Sequence, residues 1–326
     1  MIEPLRRATE RAWSFLAAAL FIGCGGCGGS GDAGSTGSEV MNTSSSTTAT
    51  TSTGAGGGAS NVDRGPTSVP LDGDPNGLFW DATTNTLLIA DNDDNRVLQW
   101  TDAGGVGLLA DLPGGEQDSS GLGQVVKTAD GTIAVTRFGF GTTGGVALVA
   151  PDLSTTMVPN IDPAKRRIGL CVAPDGSLYD SYFENITGTD TLGAVGKLDL
   201  SGTEVDIITS LEKPVGVIVV GSNLVVDDQM SNEALTTPLA SPSSTLNILA
   251  QLDEPDLLCE GPNGTIFSGG AMGDVRQIAT DGTVTTFAGG FLSIRGVAYD
   301  AVNKRLFAAE HDSSGAANTV RILPVD

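Results

Sequence analysis

The chain has a single histidine, His311, and it stands between two acids, Glu310 and Asp312, at the end of an apolar run. An imidazole beside a carboxylate is the smallest set that can move a proton near neutral pH, so His311 reads either as a surface residue or as a general base. One imidazole excludes every mechanism that needs two, and with them most zinc sites. No G-x-S-x-G elbow presents a nucleophilic serine. Two acidic stretches have the composition of cation loops. Asp72-Gly-Asp-Pro-Asn-Gly77 matches the opening half of D-x-D-x-N-G, but Thr83 stands where a closing Glu belongs. Pro75 is awkward there too, and a polar crossover loop is the expectation. Asp91-Asn-Asp-Asp-Asn95 reads as a solvated turn.

The elements that must carry these residues repeat. From residue 66 onward an apolar strand, a polar turn (often Asp-Gly or Asn-Gly) and a second apolar strand recur six times, beginning near residues 74, 121, 167, 213, 254 and 293. The anchoring positions Gly77, Gly123, Gly169, Gly216, Leu257 and Gly296 are 46, 46, 47, 41 and 39 residues apart. That period with that unit predicts an all-β, six-bladed β-propeller of four-stranded antiparallel blades. Runs such as Leu87-Leu-Ile-Ala90 are apolar on both faces, so each blade needs a neighbour on either side, and a ring supplies both. Blade six runs out after three strands, and Thr67-Ser-Val-Pro-Leu71 is the expected fourth, closing the ring. Pro70 lacks a donor and suits the outer edge. Cys171 and Cys259 hold equivalent positions in the non-adjacent blades three and five. Too far apart for a disulfide, they are expected as buried free thiols.

The first 65 residues read differently. Arg6, Arg7 and Arg11 precede the apolar run Ala12–Ile22 and then Gly23-Cys24, the pattern of a secretory signal over residues 1–23. An eleven-residue apolar core is too short to span a bilayer as a helix. Ending in Gly-Cys, it resembles a bacterial lipoprotein signal, which implies acylation of Cys24, a lipid bilayer as partner, and an outer-membrane address in the cell envelope. Phe21 stands where such signals usually carry Leu. Cys27 as the acylated residue and an ordinary cleaved signal stay open as rivals. Residues 24–65 are Gly, Ser, Thr and Ala with little to bury, hence a disordered tether with a span of about 35 Å. Asp+Glu number 39 against 17 Lys+Arg, a net charge of −22, which repels phosphate backbones and excludes nucleic acid as a partner.

The stretch PNGLFWD…LLIADNDDNRVLQW resembles an NHL-type repeat and the gluconolactonase/senescence-marker-protein superfamily of six-bladed propellers. The resemblance covers roughly residues 70–326 and is specific in blades one and five. It implies one divalent cation, usually calcium, in the central tunnel, held by Glu, two Asn and an Asp from the innermost strands. That cation polarises a lactone or ester carbonyl while the Asp serves as base. Pro255-Asp256-Leu257 matches the family's Pro-Asp-Gly segment with Leu257 in place of Gly, so Asp256 is the metal or catalytic candidate. The two Asn should open the preceding blades, where Ile168 and Val215 stand instead. A Pro-Asn-Gly occurs in blade one, at Asn76. Arg295 in blade six points by its place in the repeat at the same tunnel, and a guanidinium pairs with Asp256 rather than binding calcium.

Two functions follow from these readings. The first is a membrane-tethered exported lipoprotein, monomeric, whose propeller binds a small polar ligand or a protein partner at the tunnel mouth without catalysis. Asn76, Arg137, Asp256, Arg295, Glu310 and His311 form its binding set. The alternative is a metal-dependent lactonase or esterase, with Asp256 and Asn76 as calcium ligands and Asp256 as base.

Overall fold

The structure is a computed structural model that describes residues 68–114, 121–187, 190–312 and 318–326. The expected signal, Cys24 and the tether lie outside those residues. Within them the chain forms six four-stranded antiparallel sheets arranged as propeller blades. A short strand β1 (Ser68–Pro70) comes first. Blade one is β2 (Pro75–Asp81), β3 (Thr86–Asp91), β4 (Arg96–Thr101) and β5 (Gly105–Asp111). Blade two is β6 (Leu122–Lys127), β7 (Ile133–Arg137), β8 (Gly145–Val149) and β9 (Thr155–Met157). Blade three is β10 (Arg166–Val172), β11 (Leu178–Thr187), β12 (Asp190–Leu198) and β13 (Glu204–Leu211). Blade four is β14 (Pro214–Val220), β15 (Asn223–Asp228), β16 (Glu233–Pro238) and β17 (Asn247–Gln251). Blade five is β18 (Pro255–Glu260), β19 (Ile266–Gly270), β20 (Asp274–Ile278) and β21 (Val284–Gly289). Blade six is β22 (Ile294–Asp300), β23 (Arg305–Glu310) and β24 (Thr319–Pro324), with β1 antiparallel to β24 as its outermost strand.

Strand alternation explains why the blades stack. Along β3, Leu87 and Ile89 face blade six while Leu88 and Ala90 face blade two, the period of two that a pleated strand imposes. The same division recurs around the ring, so the hydrophobic core is six seams, one between each pair of adjacent blades. The seam between blades six and one carries the largest rings. Phe307 stacks on Trp80 at 5.3 Å and meets Trp100 edge-on at 5.5 Å. Arg305 lies over all three and forks onto Asp102 with two 2.7 Å bonds, its Nε donating to Asp300 at 2.9 Å.

The anchoring glycines are where innermost strands of adjacent blades touch. A Cβ on Gly77 would lie 2.5 Å from Gln124 Cα, one on Gly169 2.9 Å from Val215 O, and one on Gly296 3.0 Å from Leu78 N. In blade five Leu257 takes that place, and the close approach shifts to Gly269 in β19, whose Cβ would lie 2.5 Å from Arg295 O. The residue just before each anchor opens the innermost strand at one mouth of the tunnel: Asn76, Leu122, Ile168, Val215, Asp256 and Arg295.

Candidate functional site

Asp256 and Arg295 meet. Both stand one residue before the anchor of their blade, near the starts of β18 and β22, so adjacent blades deliver them to the same mouth. Arg295 Nη1 donates to Asp256 Oδ2 at 3.3 Å. The Asp256 side chain is 5% exposed and that of Arg295 39%, so the guanidinium covers the carboxylate from the solvent side. Burial pushes the Asp256 carboxyl above the usual carboxylate range, against the pull of Arg295 and Lys213.

Lys213 completes the basic side of the mouth. It precedes β14, its backbone N donates to Asp228 Oδ1 at 2.8 Å, and its Nζ bonds Gln229 Oε1 at 2.5 Å. Gln229 Nε2 in turn donates to Pro255 O at 2.9 Å, next to Asp256. Burial holds the Lys213 ammonium below the usual lysine range; Asp256 and Glu254 oppose that shift, while Arg295 and Arg166 add to it.

On the other side of Arg295, His311 Nδ1 lies 2.5 Å from Asp74 Oδ1. The loop before β2 supplies Asp74 and the end of β23 supplies His311. Asn92 Nδ2 donates to the second Asp74 oxygen at 3.0 Å, and Asp74 N donates to Asp91 Oδ1 at 2.8 Å. Burial alone would raise the Asp74 carboxyl, but the hydrogen bond and charge of His311, the Asn92 bond and the Arg295 charge together hold it below the usual range. With Nδ1 engaged, Nε2 is the ring atom left to exchange a proton with a ligand.

The remaining sequence candidates are placed elsewhere. Asn76 opens the tunnel but turns its amide to the neighbouring blade, donating to Leu122 O at 2.6 Å. Arg137, expected in the binding set at the tunnel mouth, reaches instead across the seam of blades one and two to Asn95 Oδ1 at 2.8 Å and to the Pro113 carbonyl. Glu310 is buried as a brace, accepting from Arg321 Nε at 2.5 Å and Leu292 N at 3.1 Å. The expected solvated turn at Asp91 is also a brace: Asp91 is 1% exposed and takes Arg96 Nε at 2.7 Å. Cys171 and Cys259 are free thiols.

The calcium set that the resemblance implies does not fit these residues. Asp256 is committed to Arg295, Asn76 to a main-chain carbonyl, and the two positions that should hold Asn carry the hydrocarbon side chains of Ile168 and Val215. Among the described residues no group of three or more His, Cys, Asp or Glu converges as metal ligands would.

Sequence reasoning missed Asp74, Lys213 and Gln229. Asp74 was on the page as part of a half-matched calcium loop, but its partner is 237 residues away, and only the closed ring brings the two together.

No family model and no curated protein matches this chain in sequence. Its structural neighbours are six-bladed propellers of the gluconolactonase and regucalcin type. A gluconolactonase from Xanthomonas campestris superposes with a TM-score of 0.61 at 17% identity, covering 79% of this chain and 97% of that one. Regucalcin, a calcium-binding protein from Agrobacterium tumefaciens, gives 0.61 at 14% identity over 80% of this chain and 95% of its own. Virginiamycin B lyase from Staphylococcus aureus gives 0.56 at 11% identity over 79% and 98%. At these identities the likeness is one of fold.

Proposed function

We propose that this chain is an exported, lipid-anchored propeller that binds a small polar ligand, or a polar group of a protein partner, at the Asp256–Arg295 mouth, and that it acts as a binding module. The observation that carries this reading is the ion pair itself. A guanidinium on the one acid that matches the superfamily's metal-binding Asp leaves no net charge there for calcium, yet keeps a half-exposed fork of donors aimed at the mouth. A ligand bearing a carboxylate or several hydroxyls suits that fork, with Lys213 beside it and the His311–Asp74 pair opposite. The anchor belongs to the proposal through Cys24 and the Gly/Ser/Thr-rich stretch after it. Cys24→Ala should move the protein from the membrane to the soluble fraction, and retention in the membrane would refute the anchor.

A lactone- or ester-cleaving enzyme is the second reading, and the His311–Asp74 pair is what favours it. Gluconolactonase and virginiamycin B lyase share the fold, and a histidine-to-alanine variant of that lyase is catalytically inactive. One experiment separates the readings. Sugar acids and their lactones are screened by thermal shift with wild type and Arg295→Ala, and calcium-dependent lactone hydrolysis is assayed alongside. Stabilisation that needs Arg295, without turnover, supports the binding module. Turnover lost in His311→Ala, or calcium-dependent turnover lost in Asp256→Asn, would overturn it.

A further inference from the structure

The innermost strands carry the tunnel away from this mouth. Asn76, Asp256 and Arg295 stand one residue before their blades' anchors. About 13 Å further on, at roughly 3.3 Å per residue, each strand reaches the position three past its anchor. The six residues at that position are Trp80, Val126, Val172, Val219, Glu260 and Tyr299. All six line one solvent-open cavity of about 230 Å³, to which every blade contributes. Five of them are aliphatic or aromatic. Blade five alone puts a carboxylate in that place.

Among the described residues no other charged side chain lines this cavity. The acids next to its wall are spent inside the frame: Asp81, beside Trp80, takes Lys127 Nζ at 2.6 Å, and Asp300, beside Tyr299, takes Arg305 Nε at 2.9 Å. Glu260 differs. It is exposed, and its carboxylate has no hydrogen bond or ion pair among the described residues. Around the ring its neighbours at the same position are Val219 in blade four and Tyr299 in blade six. Tyr299 and Phe79 are only partly buried, so two aromatic rings share the lining with the one free carboxylate. The rest of the wall is neutral: the Gln124 amide is bound to Leu78 O at 2.9 Å, and burial pushes the Cys171 thiol up to about 12 and the Cys259 thiol higher still.

A lone carboxylate beside aromatic rings, at the edge of an apolar chamber, suits an organic ammonium group. The carboxylate supplies the opposite charge, the ring faces attract a cation, and the apolar wall takes the hydrocarbon body. The net charge of −22 favours cations near the surface and repels anions. An apolar cavity of about 150 Å³ holds benzene, so the larger volume here admits one ring with a short side arm. We propose that the far end of the tunnel is a second binding site, for a small organic cation with an ammonium group on a body of about one ring. Glu260 is its counter-ion, and Tyr299 and Phe79 are the aromatic contacts. This site shares no residue with the polar mouth and stands independently of the function assigned there.

The test titrates benzylamine, an ammonium ion at pH 7, and its neutral counterpart benzyl alcohol into the wild-type protein by calorimetry at low salt. Benzylamine should bind saturably below ~10 mM and about fivefold tighter than the alcohol, the worth of an exposed charge pair with a cation–π contact. Glu260→Gln should bring the two ligands within about twofold of each other. Val219→Phe should fill the chamber and abolish both, with Val172→Phe as the alternative filling variant if the first fails to fold. Arg295→Ala should bind benzylamine as wild type does. The proposal is overturned if wild type shows no saturable binding of benzylamine, or if binding survives both filling variants. It is overturned equally if the preference for the ammonium persists in Glu260→Gln, which would trace it to the overall charge of the protein.

Discussion

His311 Nδ1 and Asp74 Oδ1, 237 residues apart in the chain, sit 2.5 Å from each other across the seam between blades six and one. The pair joins the loop before β2 to the residue that follows β23, so it reports on the packing of blade six against blade one and on the tunnel mouth at once. It also fixes the ring tautomer, since a neutral imidazole must keep its proton on Nδ1 to donate to the carboxylate.

Asp74 therefore contributes to acid stability in a definite direction. Its folded carboxyl is held below its ordinary value of 3.8, so its stabilisation is complete above that value and is lost as pH falls through the folded one. Asp74→Asn should cost about 1–3 kcal/mol at pH 7 and flatten the acid limb of the unfolding curve, the two proteins converging at strongly acid pH. Nitrogen NMR of the chain's only imidazole, on protein without a histidine tag, should show the Nδ1-H tautomer in wild type. An unchanged tautomer together with unchanged stability in Asp74→Asn would refute the pair's role.

Asp227 acts in the opposite sense. It is fully buried in β15, and burial lifts its carboxyl to about 7; Ser268 Oγ, 2.5 Å away, opposes the shift, while Asp256 and Asp228 add to it. Between about pH 4 and 7 the folded protein keeps a proton that the unfolded chain releases, so stability falls as pH rises through that window. Asp227→Asn should raise Tm at pH 8 by several degrees, each kcal/mol being worth roughly 2–4 °C in a domain of this size, and change it little at pH 5. Equal Tm values at pH 8 would count against a protonated Asp227.

Arg305 ties the aromatic seam. Its fork on Asp102 and its stacking over Trp80, Trp100 and Phe307 both need a planar guanidinium. Arg305→Lys should destabilise by about 1–3 kcal/mol, seen as a lower urea midpoint with an unchanged slope. A variant as stable as wild type would mean that hydrophobic contact alone holds this seam.

The pairing of β1 with β24 makes a truncation prediction. Val69 is buried in the seam of blades six and one, and Thr319 Oγ1 donates to its carbonyl at 2.8 Å. Deleting residues 1–62 should leave cooperative unfolding intact. Extending the deletion through Leu71 removes β1 and bares the edge of β24, with aggregation or broadened unfolding as the expected result. Identical unfolding of the two truncations would show that the ring does not depend on β1.

The fold was legible because it is written repeatedly: the glycine that meets a neighbour's backbone recurs in five of six blades, and alternation along strands such as β3 names the seams. Asp256 and Arg295 were legible for the same reason, since each stands one residue before its blade's anchor. Lys213 and Asp74 each stand three residues before their blade's anchor, immediately before the Pro that opens the innermost strand, and nothing local marks their partners. Arg137 misled because its position at the end of β7 suggested the tunnel, whereas the Asn95 amide in the turn before β4 and the Pro113 carbonyl after β5 lie nearer to hand.

The contacts of those glycines have an evolutionary consequence. At the anchors, main chain rests on main chain, while the side chains one residue earlier differ in chemistry from blade to blade. Asn76, Leu122, Ile168, Val215, Asp256 and Arg295 are thus six fittings of different chemistry on one repeated frame. Selection can swap an amide for a hydrocarbon, or a ligand for a guanidinium, without reopening the question of how the ring is built. Such a frame can lose one chemistry and acquire another in single steps, each leaving a folded intermediate.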